Sequence, residues 1–250
     1  MRVLYHRMNF INKTHLSPAK NFLLDLIFPR YCLGCGQEMA AKQSSQVCDI
    51  CFNKIILNYG PQRQKNAILT ELLAAGRYED PILRAMILAF KYQSVESLKK
   101  PLAALMINFL KKEGLTDKFS GFVIAPVPLT WRRQLNRGFN QSELLANEIG
   151  IFLKCPVVDL LKRTKFNAPQ AEIPDWKLRK ENISGVFALN IESINIPFSD
   201  DRWKMGQLQN IQKVILVDDV STSGATLEEA ASILKKAGVK DIYGLVIAKG

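Results

Sequence analysis

The sequence predicts an α/β fold: a mostly parallel sheet flanked by helices, with a small four-cysteine ribbon on its N-terminal side. Three observations predict it. Short apolar runs alternate with segments of helical period from about Leu72 to Ala248, the pattern of a parallel sheet with crossover helices. Within that alternation, Lys213 to Gly238 reads as strand, polar loop and helix with little ambiguity. Ahead of it, Cys32-Leu-Gly-Cys35 and Cys48-Asp-Ile-Cys51 stand twelve residues apart, as two knuckles of one metal site do.

From the N-terminus, Met1 to Ser17 lacks periodicity and is expected to be a flexible tail. Pro18 to Phe28 places Phe22, Leu23, Leu26 and Ile27 at helical spacing, with Ser17 as cap and Pro18 at the first position. The four cysteines, Cys32, Cys35, Cys48 and Cys51, follow. Disulfides or redox pairs are the alternatives, but a reducing compartment disfavours the first and no βαβ pattern supports the second. Four thiolates make a closed, structural Zn²⁺ site that supplies folding energy to residues 18–60. Cys155, beside Pro156 in apolar surroundings, reads as a small core residue.

Tyr59 to Asn66 is polar and reads as a linker into residues 61–250. There, Leu72 to Tyr78 is a predicted strand and Pro81 to Tyr92 a helix with Pro81 at N1. A second helix is expected from about Ser97 to Lys112. Phe122 to Val127 is a buried strand, and Arg137 to Leu153 a helix. Val157 to Leu161 and Gly185 to Leu189 are short strands, with a helical piece at Trp176 to Asn182. Asn190 to Gln212 is polar and long for a compact domain, so residues 190–212 are expected to be an insertion loop. Lys213 to Asp218, the helix after it, and Ile242 to Ala248 close the chain.

The loop after Val217 carries the chemistry. Val214 to Val217 is an unbroken apolar run, as in a strand buried on both faces. From Leu227 the period changes, and Leu227, Ala230, Ala231 and Leu234 mark one helix face. Between them stand Asp218, Asp219, Val220, Ser221, Thr222, Ser223, Gly224, Ala225 and Thr226. Hydroxyls and a glycine at a helix N-terminus suit a phosphate. Adjacent carboxylates beside a phosphate are unfavourable unless the ligand also brings hydroxyls or a metal ion. A ribose 5-phosphate satisfies both halves. An ordinary βα turn with solvated acids is the plain alternative, and local physics leaves the two level. No Walker A lysine and no Gly-x-Gly-x-x-Gly occurs.

Two further stretches are basic. Arg132, Arg133 and Arg137 fall just beyond the end of the Phe122 to Val127 strand, where open α/β sheets hold ligands. Their forks suit diphosphate oxygens, or they line a solvated turn. Lys162 to Lys180 mixes six basic residues with Phe166 and Trp176. It reads as a lid over a polyanion, a nucleic-acid strip or a surface loop.

Composition narrows the class. The 250 residues carry a net charge of +11, with a sequence pI of about 9.5. That balance favours an anionic partner. Histidine is scarce: His6 and His15 are the only two, both in the tail, so a Ser-His-Asp or Cys-His centre is not expected. No secretory signal or membrane-spanning run is read, and a cytoplasmic protein is expected.

Val217-Asp-Asp-Val-Ser-Thr-Ser-Gly-Ala-Thr226 resembles the 5-phosphoribosyl 1-diphosphate (PRPP) signature of type I phosphoribosyltransferases. The chain as a whole resembles the ComF family of competence-associated proteins. The matching segments are a Leu-Asp-Leu-Ile-Phe-Pro stretch before the four cysteines, Phe90-Lys91-Tyr92, Pro126-Val-Pro128, Arg137-Gly-Phe-Asn-Gln141, Arg163 with Gln170, Arg179 to Asn182, and the PRPP loop. The resemblance implies a type I phosphoribosyltransferase-like domain, with residues 162–182 as a flexible hood. It implies that Asp218 and Asp219 hold ribose hydroxyls and steady charge at C1′, that Ser221 to Thr226 hold the 5-phosphate, and that the arginines meet diphosphate with Mg²⁺. It further implies handling of incoming single-stranded DNA in natural transformation, alongside DNA-uptake machinery proteins. A PRPP-sensing, DNA-binding module without catalysis and a biosynthetic transferase unrelated to DNA are the other readings. No residue identifies an acceptor nucleophile.

Overall fold

The computed structural model describes residues 30–39, 46–61, 68–165, 185–194 and 211–250. The expected helix at Pro18 to Phe28, the piece at Trp176 to Asn182, and most of the hood and insertion loop lie outside these residues. The elements in chain order are β1 (Arg30–Tyr31), β2 (Glu38–Met39), α1 (Asp49–Asn53), β3 (Glu71–Arg77), α2 (Pro81–Tyr92) and α3 (Lys99–Lys112). After these come β4 (Val123–Pro126), α4 (Trp131–Arg137), α5 (Gln141–Leu153), β5 (Leu161–Arg163), β6 (Phe187–Leu189) and α6 (Ile191–Ile194). The chain closes with β7 (Lys213–Ser221), α7 (Ala225–Lys236) and β8 (Asp241–Lys249).

β3, β8, β7 and β4 pair in that order, and every pairing is parallel. Side chains alternate across this sheet and feed two cores. Leu73, Ile124, Ile215, Val217, Leu245 and Ile247 face one cluster with α2, α3 and α5. Leu72, Ala74, Val123, Val214, Leu216 and Val246 face the other, with α7 and the β5–β6 hairpin. A sheet covered on both sides explains why its strands read as continuous apolar runs.

The end of β4 meets β7 where the connections diverge. After β4 the chain passes through the short α4 into α5, which packs into the first cluster through Leu145, Ala146 and Ile149. The helix after β7, α7, packs into the second through Leu227, Ala230, Ala231 and Leu234. Neighbouring parallel strands that send their connections to opposite faces leave a crevice at their C-terminal ends.

Several expectations are corrected. The stretch expected as one helix from Arg137 to Leu153 is broken at Gly138, which takes φ 83°. Arg132, Arg133 and Arg137 therefore lie on α4, a short helix capped by Thr130, and not in a loop. The expected strand Val157 to Leu161 is reduced to a bridge between Val157 and Ile124, and the strand proper is Leu161–Arg163. β7 runs on to Ser221, so the two acids belong to a strand and not to the loop. α2 has the expected bounds, because Asp80 accepts the Ile82 and Leu83 N–H groups at 2.9 Å and Pro81 sits in the first turn.

Candidate functional site

β7 outruns its neighbour. Its last partner on β4 is Pro126, opposite Val217, whereas pairing to β8 continues to Ser221. Asp218 and Asp219 thus stand on the overhang, at the mouth of the crevice. Their backbone is fixed on one side only, which frees the side chains toward β4 and α5.

Both carboxylates are engaged. Ser142, in the first turn of α5, donates its Oγ–H to Asp218 Oδ1 at 2.9 Å. The Asp219 N–H donates to the same oxygen at 2.8 Å. Asp219 Oδ1 accepts the Val220 N–H at 2.6 Å and takes the Lys91 ammonium at 2.8 Å. Lys91 comes from the last turn of α2, and its side chain is 17% exposed against 10% for Asp219. Burial and the neighbouring Asp219 charge push the Asp218 carboxyl up to about 7, against the pull of Lys91 and the two donors. Burial pulls the Lys91 ammonium down, but the Asp219 carboxylate, then Asp218, outweigh it and hold Lys91 above its ordinary range.

The turn that follows is rich in hydroxyls and opens a helix. Gly224 takes φ 80°, in the left-handed region, and leads into α7. The Ser223 Oγ accepts the Ala225 N–H at 3.4 Å, Thr222 is exposed, and Thr226 is half-buried. Ser221 is 4% exposed, yet its Oγ finds no hydrogen-bond partner among the described residues. A buried hydroxyl without a protein partner is available to bond a ligand or a water.

The arginines divide. Arg132 is exposed, with its guanidinium over the Trp131 ring at 5.3 Å. Arg133 is half-buried and bears electrostatically on Arg163 of β5. Burial, then the Arg133 charge, lowers Arg163 to about 10, against the pull of Asp218. Arg133, Arg163 and Asp218 therefore share one electrostatic environment. Arg137 is committed elsewhere: its Nη1 donates to Gln141 Oε1 at 3.0 Å and its guanidinium lies over the Tyr92 ring at 5.4 Å.

That contact belongs to a bracket made by Arg137-Gly-Phe-Asn-Gln141. Phe139 stacks on Phe90 at 5.4 Å. Asn140 caps α5 by accepting the Ser142 N–H at 3.2 Å, and its Nδ2 donates to the Val127 carbonyl at 3.3 Å. Gln141 is 0% exposed and donates to the Phe90 carbonyl at 3.2 Å. Ser94 Oγ donates to the Arg137 carbonyl at 2.9 Å. These contacts fix the end of α2 against the start of α5, and so fix Lys91 and Ser142 toward the two acids. Among the candidate site residues drawn from the sequence, Lys91, Ser142 and Arg163 were missed. Phe90-Lys91-Tyr92 and Arg163 stand out in the sequence only as matching segments; no sequence spacing links them to Asp219.

The four cysteines converge. Their sulfurs all lie within 4.8 Å of one another, and Cys35 and Cys48 are 3.9 Å apart. Zinc–sulfur bonds of 2.3 Å in a tetrahedron separate the sulfurs by ~3.8 Å, so the donor set fits a structural metal ion. Cys32 Sγ accepts the Gly34 and Cys48 N–H groups at 3.4 and 3.3 Å. Burial raises Cys32, but such backbone N–H groups bring it down to about 6. Cys51 is pushed up to about 12, by burial first and then by its three neighbours. A bound cation reverses that repulsion. A side chain at Gly34 would meet Cys51 Sγ at 2.8 Å, so the knuckle needs glycine there.

The phosphoribosyl transferase domain family matches residues 135–249, from the bracket through the acid pair to β8. Sheet, flanking helices and this match define a type I phosphoribosyltransferase fold. Competence protein F of Haemophilus influenzae is 30% identical over 256 residues, covering 96% of this chain and 100% of its own. DNA utilization protein YhgH of Escherichia coli is 28% identical over 83% of this chain and 78% of its own. Competence protein ComFC of Streptococcus pneumoniae is 28% identical over 61% of this chain and 57% of its own. The chain belongs to the ComF family.

Proposed function

We propose that the protein binds PRPP at the corner between β7 and α7 and acts in the handling of single-stranded DNA during uptake. Asp218 and Asp219 hold the ribose 2′ and 3′ hydroxyls. Ser221, Thr222, Ser223, Gly224, Ala225 and Thr226, with Val220 in the strand before them, cradle the 5-phosphate. Arg132 and Arg133 meet the diphosphate, and Arg137 supports them through the bracket. The observation that carries this reading is the buried, unpartnered Ser221 Oγ between two strand-end acids and a glycine turn into a long helix. Mg²⁺ bound with the ligand would supply charge neutralisation on the diphosphate. The acids would steady a ribose ring that gains positive charge at C1′, which is electrostatics and positioning and needs no histidine. Zn²⁺ is the ion that four cysteines select, in a structural role. DNA handling is supported by the names of the relatives above and by the net charge of +11.

Calorimetric titration with PRPP and Mg²⁺ tests the site. Wild type should bind, and Asp218→Asn/Asp219→Asn should lose at least tenfold in affinity. Equal binding by the double variant sinks the assignment. Release of diphosphate on adding an amine or base acceptor would show turnover.

A second reading, a PRPP-sensing module that holds DNA without catalysis, is favoured by one observation. Trp131 and Tyr92 are 66% and 64% exposed, and each lies under a guanidinium, Arg132 and Arg137. Exposed rings beside cations suit unpaired bases and their phosphates. Trp131→Ala should weaken single-stranded DNA and leave PRPP binding intact; equal DNA binding by that variant removes this support.

A further inference from the structure

Two adjacent carboxylates next to a phosphate cradle pose a charge problem. Both stand on the strand that leads into α7, and Asp219 is largely shut off from water. In many sites a divalent cation settles such a conflict. This chain brings a cation of its own.

We propose that Lys91 is a built-in counter-cation that neutralises Asp219, so that the acid pair accepts a sugar phosphate without first capturing a divalent ion. The proposal rests on the phosphoribosyl reading of the site. Lys91 Nζ stands 2.8 Å from Asp219 Oδ1, and both side chains are largely buried. A lysine at a helix C-terminus is ordinarily held by the last carbonyls and by water. Lys91 instead crosses from α2 to β7. Its backbone is prevented from drifting: Gln141 holds the Phe90 carbonyl, Phe139 packs on the Phe90 ring, and the Arg137 guanidinium covers Tyr92. Buried ion pairs contribute little net stability, because desolvation offsets their attraction. An arrangement this constrained is better explained by the charge it leaves at the site. With Lys91 in place the fully ionised acid pair carries one net negative charge instead of two. Asp218, held by Ser142 and the Asp219 N–H on one oxygen, keeps its other oxygen for a ribose hydroxyl. Lys91 acts through Asp219 and is a positioning residue.

The test uses the full chain with its ribbon loaded. Lys91→Met and Lys91→Gln remove the charge; the glutamine keeps a hydrogen-bond donor toward Asp219 and guards against a variant that fails to fold. Lys91→Arg restores the charge. Two readouts are taken: PRPP affinity in the presence of a chelator for free Mg²⁺, and Mn²⁺ binding to the ligand-free protein by electron paramagnetic resonance. Both neutral variants should lose about tenfold or more in PRPP affinity, since removing one partner leaves the other charge buried and unpaired. Both should gain one Mn²⁺ site that wild type lacks, and that site should vanish when Asp218→Asn and Asp219→Asn are added. Lys91→Arg should behave like wild type in both assays. A merely structural lysine would not create a metal site. If the neutral variants bind PRPP like wild type and gain no Mn²⁺ while Asp218→Asn/Asp219→Asn loses PRPP, the role of Lys91 is overturned and the site reading stands. If Asp218→Asn/Asp219→Asn also binds PRPP normally, both fall together.

Discussion

Asp218 is the residue whose ionisation should be visible from outside. Its carboxyl is pushed from an ordinary 3.8 up to about 7 in the folded chain. The folded state therefore holds this proton where the unfolded state has released it. The stability this group contributes is full below 3.8 and is lost as pH rises to about 7. Asp218→Asn should flatten the fall of the melting temperature between about pH 4 and pH 7, a measurement calorimetry makes directly. A variant that melts with the same pH profile as wild type would show that Asp218 is not the group titrating. The groups facing Asp218 are Asp219 on its own strand, Lys91 from α2, Ser142 from α5, and Arg163 on β5. Proposed ribose binding needs the carboxylate as acceptor, so affinity for PRPP should rise with pH through the same range.

The bracket sets the geometry one level up. Gln141 is wholly buried and bonds both the Phe90 carbonyl and Arg137. Gln141→Leu leaves the carbonyl without its donor and should lower stability by about 1–3 kcal/mol, read by denaturant unfolding. A loss below a few tenths would mean the α2–α5 contact is held by the other bracket contacts, Phe139 on Phe90, Arg137 over Tyr92 and Ser94 on the Arg137 carbonyl. Here the limits of the sequence are physical. Val214 to Val217, the α2 bounds and the cysteine spacing were legible because local pattern determines them: buried parallel strands are apolar throughout, Pro81 and Asp80 start a helix, and thiolates at Cys-x-x-Cys spacing share a metal. The fates of Arg137 and Lys91 were not legible. Both lie at helix ends, and which way a long side chain turns there depends on partners from other elements, Tyr92 and Gln141 for Arg137 and Asp219 for Lys91. The break at Gly138 was missed because helical period continues on either side of it. The overrun of β7 past β4 was missed because pairing length is a property of two strands, not of one.

At the scale of the whole molecule, ribbon and sheet share a core. Cys32, Met39, Val47, Cys51 and Ile55 belong to the same apolar cluster as α2, α3 and α5, and Asn58 donates to the carbonyls of Ala74 and Gly76 on β3. Cys51→Ser should therefore abolish zinc in metal analysis and lower the melting temperature of the entire transition, not of a separate small one. A second, independent transition in the variant would argue for an autonomous ribbon. Among the described residues no helix is long and apolar enough to cross a membrane. With a net charge of +11, the logarithm of the affinity for single-stranded DNA should fall steeply and linearly against the logarithm of salt concentration. Binding that ignores salt would rule out a backbone-led contact. The central claim is that a phosphoribosyl group occupies the corner where β7 gives way to α7. A crystal structure of the protein with PRPP and Mg²⁺ tests it most directly. The account predicts ribose hydroxyls on Asp218 and Asp219, and the 5-phosphate on the residues from Ser221 to Thr226, with the Ser221 hydroxyl among its donors. A ligand seated elsewhere, with those acids still closed on Lys91 and Ser142 alone, would contradict it.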